Sequence, residues 1–435
     1  MTFSRCKTHR VSLWVILLYA LCPRPLLAAE LEIDRAHIGL EIAEIKIEGN
    51  EKTQEKWVLK WANIHPGQRL SLQMMENALR ELRDTTLFKQ IDFATAIRAD
   101  GDLLLTITLQ EKYYTLLLPR LSRNSDGNIK AGIQLRLDNL QGADRSLRVV
   151  VQHEDVSGSD DNTMQAGFRY DWPLFDQPYD LSWQGATSEE NLEVDGFQNI
   201  VYTDFFLFSA TRDWRIEGFK IPWELGAALV FENRDLDRPY PDFIQEGEAG
   251  KYNRIRLSII YDDVHWERYR RYGSFYAATI EQGTELLGSD YDSTISRLET
   301  LGFRLLNQYD NLNYRVAFDV ANNSPFDVPR FGIGGSSSIR GLEDFDGEGD
   351  ARFLTNIEYV HGLRSYPLLR FSAFVDLGNV YEDIESFDLT DLQYTVGVGM
   401  RWKIESFVDT DLIIDYGYDV ENSEGRFYGG TSLLF

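Results

Sequence analysis

Alternation of apolar and polar residues is the dominant pattern of the chain from about residue 113 to its end. The segments Ala131–Asp138, Tyr394–Trp402 and Leu412–Asp419 each place apolar side chains at every second position. Successive side chains of a β-strand point to opposite faces, so each segment predicts a strand with one apolar and one polar face. We count sixteen candidates, although fourteen or eighteen strands also fit. The candidates begin near residues 114, 129, 145, 163, 179, 201, 223, 253, 274, 296, 312, 351, 369, 393, 410 and 427.

These strands predict either a soluble sandwich or a closed barrel, because both architectures show a period of two. The chain contains 25 Phe and 22 Tyr, which could form the aromatic girdles of a membrane barrel, and the polar strand faces suit its lumen. A closed barrel also pairs every backbone N–H and C=O group, as lipid requires. The predicted fold class is therefore mainly β, a transmembrane antiparallel β-barrel of about sixteen strands over residues 113–435.

A small α+β domain is predicted over residues 38–112, ahead of the barrel. Its elements follow the order strand, helix, helix, strand, strand. They are Glu41–Glu48, Thr53–Ala62, Leu72–Arg83, Asp92–Ile97 and Leu103–Leu109. Pro66-Gly67 separates the two helices, and Asp100-Gly101 is a typical hairpin dipeptide. The chain shows one such unit and no second copy.

The first 29 residues have the features of a secretory signal peptide. The apolar run Val11–Cys22 follows the basic residues Arg5, Lys7 and Arg10, and the small pair Ala28-Ala29 supplies a cleavage site. Lipidation at Cys22 is an alternative. Because both cysteines lie in this segment, the predicted mature chain has no disulfide and no cysteine metal site.

Composition excludes two classes of protein. No run of about 18 apolar residues is present that could span a membrane as a helix. The chain has 44 basic and 69 acidic residues, a net charge of −25, and such a polyanion is a poor partner for nucleic acid.

No catalytic, cofactor-binding or metal site is predicted, and we expect the protein not to be an enzyme. A Gly-x-Ser-x-Gly motif is absent, and the histidines are dispersed without metal-ligand spacing. A His–Ser pair assembled on the barrel wall, as in an outer-membrane phospholipase, stays an alternative. The acidic run from Glu343 to Asp350 could hold Ca²⁺ or form a solvated loop.

A Gly- and Ser-rich stretch, Pro329–Leu342, lies between two predicted strands and contains one permanently charged side chain, Arg340. We call it the Arg-Gly loop, after Arg340 and Gly341. Alternation places Glu358 on the polar face of one following strand, and Phe374 and Asp376 on the polar face of the next. If those strands close a barrel, we expect Arg340 to reach Asp376 inside the lumen, with Glu358 nearby, because a guanidinium can bind carboxylates in a bidentate manner.

Several stretches together resemble a known superfamily. GIGGSSSIRGL resembles the sixth-loop motif of the BamA/TamA and two-partner-secretion transporter superfamily, and LRLDNLQG, TNIEYVHGL and FSAFVDLGNVY resemble its strand motifs. IKIEGNEKT, LRDTTLFKQIDF and LLLTITLQEK resemble a polypeptide-transport-associated (POTRA) domain. Leu342 stands where the superfamily usually has Phe or Tyr, so we expect one aromatic packing contact to be lost. The chain also has a single POTRA unit, whereas members of the superfamily usually have two to five POTRA domains.

The carboxyl terminus matches the outer-membrane β-signal, polar-x-Gly-x-x-apolar-x-aromatic, although an ordinary last strand is the alternative. The matching residues are Tyr428, Gly430, Leu433 and Phe435.

Barrel closure pairs this last strand with the first strand of the barrel, which contains Pro119. Because proline lacks an N–H and Gly429-Gly430 pack poorly, we expect a weak seam. In the superfamily this seam is the lateral gate. Alternatively, Pro119 marks a strand end and the glycines clear space for a girdle residue.

The resemblance implies insertion or translocation of polypeptides at the outer membrane of a Gram-negative bacterium, with the POTRA domain in the periplasm. The expected partners are outer-membrane lipid and unfolded polypeptide clients or a periplasmic protein, which would add to POTRA edge strands. We expect a monomer without cofactors. A passive or lipid-handling pore on the same fold is the alternative, which the single POTRA unit favours.

Overall fold

A computed structural model describes residues 31–123, 129–155, 162–194, 197–216, 219–237, 249–267, 269–325, 330–343 and 347–431. The predicted signal peptide (residues 1–29), Leu433 and Phe435 lie outside these residues. None of the helices in the described ranges is long and apolar enough to cross a membrane.

The amino-terminal domain contains two helices on a four-stranded sheet. The helices are α1 (Glu55–Ala62) and α2 (Leu72–Asp84), and the strands are β1 (Leu31–Glu32), β2 (Ile42–Glu48), β3 (Phe88–Ile97) and β4 (Leu103–Glu111). The sheet order is β1-β3-β4-β2, with β2 parallel to β4. The predicted order of elements is present, although α1 begins two residues later than Thr53. Thr53 instead binds Glu111, its backbone N–H donating to Oε1 at 2.7 Å.

The core of this domain lies between the helices and the sheet. Ser71 caps α2 by accepting a hydrogen bond from the Met74 N–H at 3.1 Å, as Ser does at helix N-termini. The buried face of α2 carries Met75, Ala78, Leu79 and Leu82. This spacing of three and four residues places them on one side of the helix, against Leu105 and Ile107 of the sheet.

The rest of the chain forms a closed antiparallel barrel of sixteen long strands, which confirms the predicted fold class. The strands are β5 (Thr115–Arg123), β6 (Ile129–Leu140), β7 (Arg145–Asp155), β8 (Asn162–Pro173), β9 (Tyr179–Val194), β10 (Phe197–Ile216), β11 (Phe219–Leu236), β13 (Arg254–Glu267), β14 (Arg270–Gly283), β15 (Thr294–Leu305), β16 (Asp310–Asn322), β19 (Ala351–Leu363), β20 (Tyr366–Tyr381), β21 (Gln393–Lys403), β22 (Asp411–Asp419) and β23 (Glu424–Gly430). A short strand, β12 (Gly250–Lys251), joins the barrel edge beside β11, and β17 (Phe331–Ile333) pairs with β18 (Gly347–Gly349). Short 3₁₀ helices occur at Arg35–His37 and Glu285–Leu287.

Side-chain burial follows the predicted alternation along the barrel wall. Tyr394, Val396 and Val398 of β21 are exposed, whereas Thr395 and Arg401 are buried. The apolar side chains therefore face outward, and the polar ones face the lumen. Aromatic rings on the outer face contact one another near the end of the barrel that adjoins the amino-terminal domain. These rings belong to Tyr170, Trp172, Trp183 and Phe208 and to Trp223, Tyr261 and Tyr276.

The amino-terminal domain lies across one end of the barrel, because it contacts turns spread around the ring. Lys60 on α1 donates to the carbonyls of Leu174 and Phe175, between β8 and β9, at 3.0 and 2.8 Å. Asp84 on α2 lies 2.7 Å from His265 Nδ1 and accepts from the Trp266 N–H at 2.8 Å, near the end of β13.

Further contacts join this domain to the first barrel strands. Asn139 at the end of β6 donates to Thr53 Oγ1 at 2.8 Å, and the Tyr114 hydroxyl lies 3.2 Å from the same oxygen. Asp144 lies in the next turn, beside Asp180. Burial, followed by the neighbouring charge of Asp180, raises the pKa of Asp144 to about 7. The folded protein therefore favours the protonated form of Asp144.

Candidate functional site

The Arg-Gly loop lies inside the barrel, against the inner faces of the last strands. Arg340 is among the most buried side chains of the protein, with 1% of its surface exposed. Gly341 has a φ of 115°, a conformation that residues with a Cβ rarely adopt. This conformation turns the chain directly after Arg340 has reached the wall.

Arg340 and Asp376 are in direct contact inside the lumen. Nε and Nη2 of Arg340 donate to the two oxygens of Asp376 at 2.8 and 2.9 Å, and the Arg340 backbone N–H donates to Oδ2 at 3.0 Å. The guanidinium also lies over the Phe374 ring, 3.4 Å from its centroid. Glu358 lies nearby, 3.7 Å from Nη1.

Two further side chains complete what we call the lumen cluster, namely Asp415 on β22 and Arg401 on β21. Asp415 accepts from Arg340 Nη1 at 3.2 Å and from Arg401. Arg401 Nη2 donates to Glu358 at 2.7 Å. Three carboxylates therefore surround two guanidiniums. Buried ions are stable only when paired and hydrogen-bonded, so this network favours one position of the loop.

The backbone of the loop contacts the wall at two further points. Thr395 on β21 donates its hydroxyl proton to the Arg340 carbonyl at 2.7 Å. A Cβ on Gly417 would stand 2.5 Å from the carbon and oxygen of that same carbonyl, a separation that real Cβ atoms do not show. The glycine on β22 therefore allows the loop to reach the wall.

The last strand also contacts the loop. The Gly341 N–H donates to the Tyr428 hydroxyl at 2.9 Å, and that hydroxyl donates to the Leu342 carbonyl at 3.1 Å. Arg426 Nη1 donates to the Gly341 carbonyl at 2.8 Å. Together with Asp376, Thr395 and Asp415, these contacts connect the loop to each strand from β20 to β23.

Leu342 is not exposed, although it stands where the resemblance predicts an aromatic residue. Only 2% of its surface is accessible, and it belongs to an apolar cluster with Ile333 and Ile339 of the loop and Ala317 and Leu354 of the wall. A leucine therefore fills this position without the expected aromatic contact.

Comparison with known proteins identifies the family. The model of the Omp85 superfamily domain matches residues 139–426, about two thirds of the chain. The chain belongs to the Omp85 superfamily. Residues 40–112 match the POTRA model, described as a surface antigen variable number repeat. The family and the closed barrel together make this an outer-membrane protein.

The proteins similar to this Omp85 chain include a curated assembly factor and three solved structures. The outer membrane protein assembly factor BamA of Nitratidesulfovibrio vulgaris is 24% identical over 426 residues, which cover 91% of the chain and 51% of the relative. The chain thus spans about half the length of this curated relative. The solved structures below share less than a fifth of their residues with the chain, so they show the fold alone.

The structural neighbours align over most of the chain. CdiB from Escherichia coli has a TM-score of 0.63 and 14% identity, covering 91% of this chain and 75% of that one. CdiB from Acinetobacter baumannii has a TM-score of 0.58 and 16% identity, covering 89% and 73%. BamA from Haemophilus ducreyi, in a structure that lacks POTRA domains 1–3, has a TM-score of 0.53 and 13% identity, covering 90% and 85%.

The predicted seam of this Omp85 barrel lies between β23 and β5. Pro119 is within β5, opposite Ile133 of β6, so it does not mark the strand end. Gly429 and Gly430 pair with Ile414 and Ile413 of β22. Among the described atoms, a Cβ would find nothing within 4 Å at Gly430 and only one carbonyl oxygen, at 3.9 Å, at Gly429. No described side chain therefore uses the space beside the glycines, and a weak seam stays a prediction.

Asp415, Arg401, Thr395 and Gly417 were not predicted as members of the site. The alternation places all four residues on the lumen face, and that is the signal that could have found them.

A metal site is not evident, because the described residues contain no group of three acidic, His or Cys side chains suited to a metal. Two acids of the run suggested for Ca²⁺, Asp344 and Asp346, lie outside those residues.

Proposed function

We propose that this protein inserts or translocates polypeptides at the outer membrane of a Gram-negative bacterium, with the POTRA domain in the periplasm. The observation that carries the proposal is the Arg-Gly loop in the lumen, bound to each strand from β20 to β23. The Omp85 membership and the outer-membrane assembly factor among its relatives support the same function.

The POTRA domain offers a surface for clients. In the described structure β2 lies at the edge of its sheet and has β4 as its one partner strand, while its first residue, Ile42, also exchanges backbone hydrogen bonds with Gly67 and Gln68. The outer N–H and C=O groups of an edge strand can pair with an extended chain. We propose that unfolded clients or a periplasmic protein bind there, before the client reaches the seam.

A comparison of outer-membrane and surface proteomes with and without this protein tests the proposed function. We expect loss of particular barrels or surface proteins. An unchanged proteome with altered permeability or lipid content would instead favour the lipid-handling pore. That second candidate has one observation of its own, an apolar face on the lumen side of β10 and β11 that consists of Phe205, Leu207, Ala228 and Val230.

A disulfide across β5 and β23 tests passage at the seam, because the sequence has no cysteine beyond Cys22. The matched control joins β6 to β7 through Gln134→Cys and Val150→Cys, which face each other across the ladder. We expect oxidation to abolish client processing only in the seam variant. Full activity of an assembled, oxidised seam variant would refute gating there.

A further inference from the structure

The POTRA domain is bonded to a barrel residue whose side chain enters the lumen. Asp84, the last residue of α2, accepts a hydrogen bond from the Trp266 backbone N–H at 2.8 Å, and its other carboxylate oxygen lies 2.7 Å from His265 Nδ1. His265 and Trp266 are successive residues of β13, so their side chains point to opposite faces of the wall. The Trp266 ring is on the lumen side, where it contacts the buried Lys403. Asp84 therefore holds the end of β13 from which Trp266 reaches inward.

The Trp266 ring connects two distant parts of the wall. Lys403 Nζ, on β21, lies 4.2 Å from the ring centroid, although five strands separate β13 from β21 along the shorter way around the barrel. The guanidinium carbon of Arg271, on β14, lies 5.4 Å from the same centroid and 4.5 Å from that of the buried Phe303 on β15. A cation over an aromatic face is attracted most strongly where water is excluded. We call Trp266, Lys403, Arg271 and Phe303 the mouth layer.

The mouth layer adjoins the lumen cluster on the side of the POTRA domain. Trp266, Arg271 and Phe303 line one cavity together with Glu358 and Arg401 of the lumen cluster. The volume of this cavity is about 20 Å³, which is room for about one water molecule. At this point, therefore, no more than a single water molecule separates the two sets of side chains.

Ion pairs form a second connection between the two sets. Lys403 Nζ donates to Asp411 at 3.0 Å, and Asp411 also accepts from Arg370 at 3.2 Å. Arg370 lies opposite Arg401 of the lumen cluster in the β20–β21 ladder. All four side chains are buried. Because buried ions depend on their partners, a displacement of Lys403 disturbs the pairing of Asp411 with Arg370.

The turn between β21 and β22 is held by the POTRA domain as well. Lys403 Nζ donates to Asp409 of this turn at 3.0 Å. Val408, one residue earlier, is buried in the apolar core of the POTRA domain. The docked domain therefore fixes both partners of the cross-lumen contact, Trp266 through Asp84 and Lys403 through this turn.

We propose that the mouth layer couples docking of the POTRA domain to binding of the Arg-Gly loop, so that release of Asp84 loosens the loop inside the lumen. The contacts run from Asp84 through Trp266 and Lys403 to the lumen cluster, and close-packed interiors transmit a displacement. Such coupling is reciprocal, so a bound loop also stabilises the docked domain. It requires no client, and it therefore goes beyond the proposed function and does not depend on it.

Hydrogen exchange tests the coupling, with the full chain in detergent micelles. Asp84→Ala removes the acceptor of the Trp266 N–H and should accelerate exchange at that amide. Exchange at the Arg340 and Gly341 amides, which donate to wall residues, should rise about fivefold or more. The matched control is Lys60→Ala, which removes two hydrogen bonds between the POTRA domain and the β8–β9 turn. Because this contact lies outside the mouth layer, the control should change the loop amides by less than about twofold.

Replacement of Trp266 tests the route. Trp266→Leu removes the ring that contacts Lys403 and should itself accelerate exchange in the loop. Adding Asp84→Ala should then have little further effect, because both changes break the same connection. Trp266→Phe keeps an aromatic face and should restore much of the coupling. Heat-dependent gel mobility verifies that each variant forms a barrel, and the Asp84→Ala comparison stays decisive where a Trp266 variant does not.

Three results would overturn the proposal. Unchanged loop exchange in Asp84→Ala would show that the loop does not respond to the POTRA contact. An equal increase in Lys60→Ala would indicate general loosening of the domain and not a route through the mouth layer. Additive effects of Asp84→Ala and Trp266→Leu would place the two residues on separate routes. None of these results bears on the proposed polypeptide function, which the proteome comparison tests separately.

Discussion

Replacement of Arg340 with lysine tests whether hydrogen-bond geometry, rather than charge alone, holds the Arg-Gly loop. Lysine keeps the positive charge but cannot form the two parallel bonds to Asp376, which measure 2.8 and 2.9 Å in the structure. It also loses the flat contact with Phe374, at 3.4 Å from the ring centroid. The backbone bonds of the loop remain available to the variant.

The expected cost follows from these contacts. One lost hydrogen bond between charged groups costs about 1.5–3 kcal/mol, and the weakened stacking of this buried cation adds about 0.5–2 kcal/mol. The sum, about 2–5 kcal/mol, overlaps the ~3–5 kcal/mol expected when one partner of a buried ion pair is removed entirely. At about 1.4 kcal/mol per factor of ten, loop opening should become about 30-fold to 4,000-fold more frequent.

Hydrogen exchange at the amides of Arg340 and Gly341 measures this opening, because both amides donate to wall residues. The matched control is Arg315→Lys. Arg315 also contacts the loop, donating to the Ser337 carbonyl at 3.0 Å, but it forms no bond to the lumen cluster, so its effect should be less than about tenfold. Unchanged exchange in Arg340→Lys, with the barrel intact, would refute the assigned role of the bidentate pair.

Four further predictions concern the loop, the domain junction and the barrel. Gly417→Ala should displace the loop and accelerate its exchange, because the new Cβ would stand 2.5 Å from the Arg340 carbonyl, whereas Gly430→Ala, with nothing within 4 Å, should not. Tyr428→Phe removes hydroxyl bonds to the loop backbone, of about 0.5–1.5 kcal/mol each, and should raise the same exchange rate several-fold; an unchanged rate would contradict this contact. Because burial raises the pKa of Asp144 from 3.8 to about 7, the folded turn between β6 and β7 should become less stable as the pH rises across that range, by at most about 4 kcal/mol. Asp144→Asn should abolish this pH dependence, measured by amide exchange in that turn; a persisting dependence would exclude Asp144 as its source. Purified protein should migrate differently on a gel before and after boiling, and a detergent-independent soluble monomer would contradict the membrane barrel.

Alternation alone was sufficient to predict the barrel and part of the site. It placed Phe374, Asp376 and Glu358 on the lumen face, because period two depends only on local strand geometry. It could not show that Asp415 meets Arg340. That contact depends on the registers of two successive strand pairs, in which Asp376 faces Thr395 and Gly399 faces Asp415.

The apolar lumen face was missed for a different reason. The run from Phe205 to Phe208 is continuously apolar, so period two gives no signal there and either face could have been assigned inward. Only the pairing with β11 and the exposure of Phe206 decide the orientation. The starts of β10 and β11 were also predicted about four residues late, at 201 and 223 instead of Phe197 and Phe219.

The strands on the two sides of the seam are held by different parts of the protein. β23 is bonded to the Arg-Gly loop through Arg426 and Tyr428, whereas the β5–β6 side is bonded to the POTRA domain through Tyr114 and Asn139. A mechanical load that separates β5 from β23 leaves both sets of bonds intact. A load that pulls β23 away from β22 must also extract the loop, which is bonded to both strands. Under tension, therefore, the wall should separate first at the end of the seam away from the POTRA domain, because at the POTRA end Arg136 of β6 donates to the carbonyls of Val408 and Asp409 between β21 and β22.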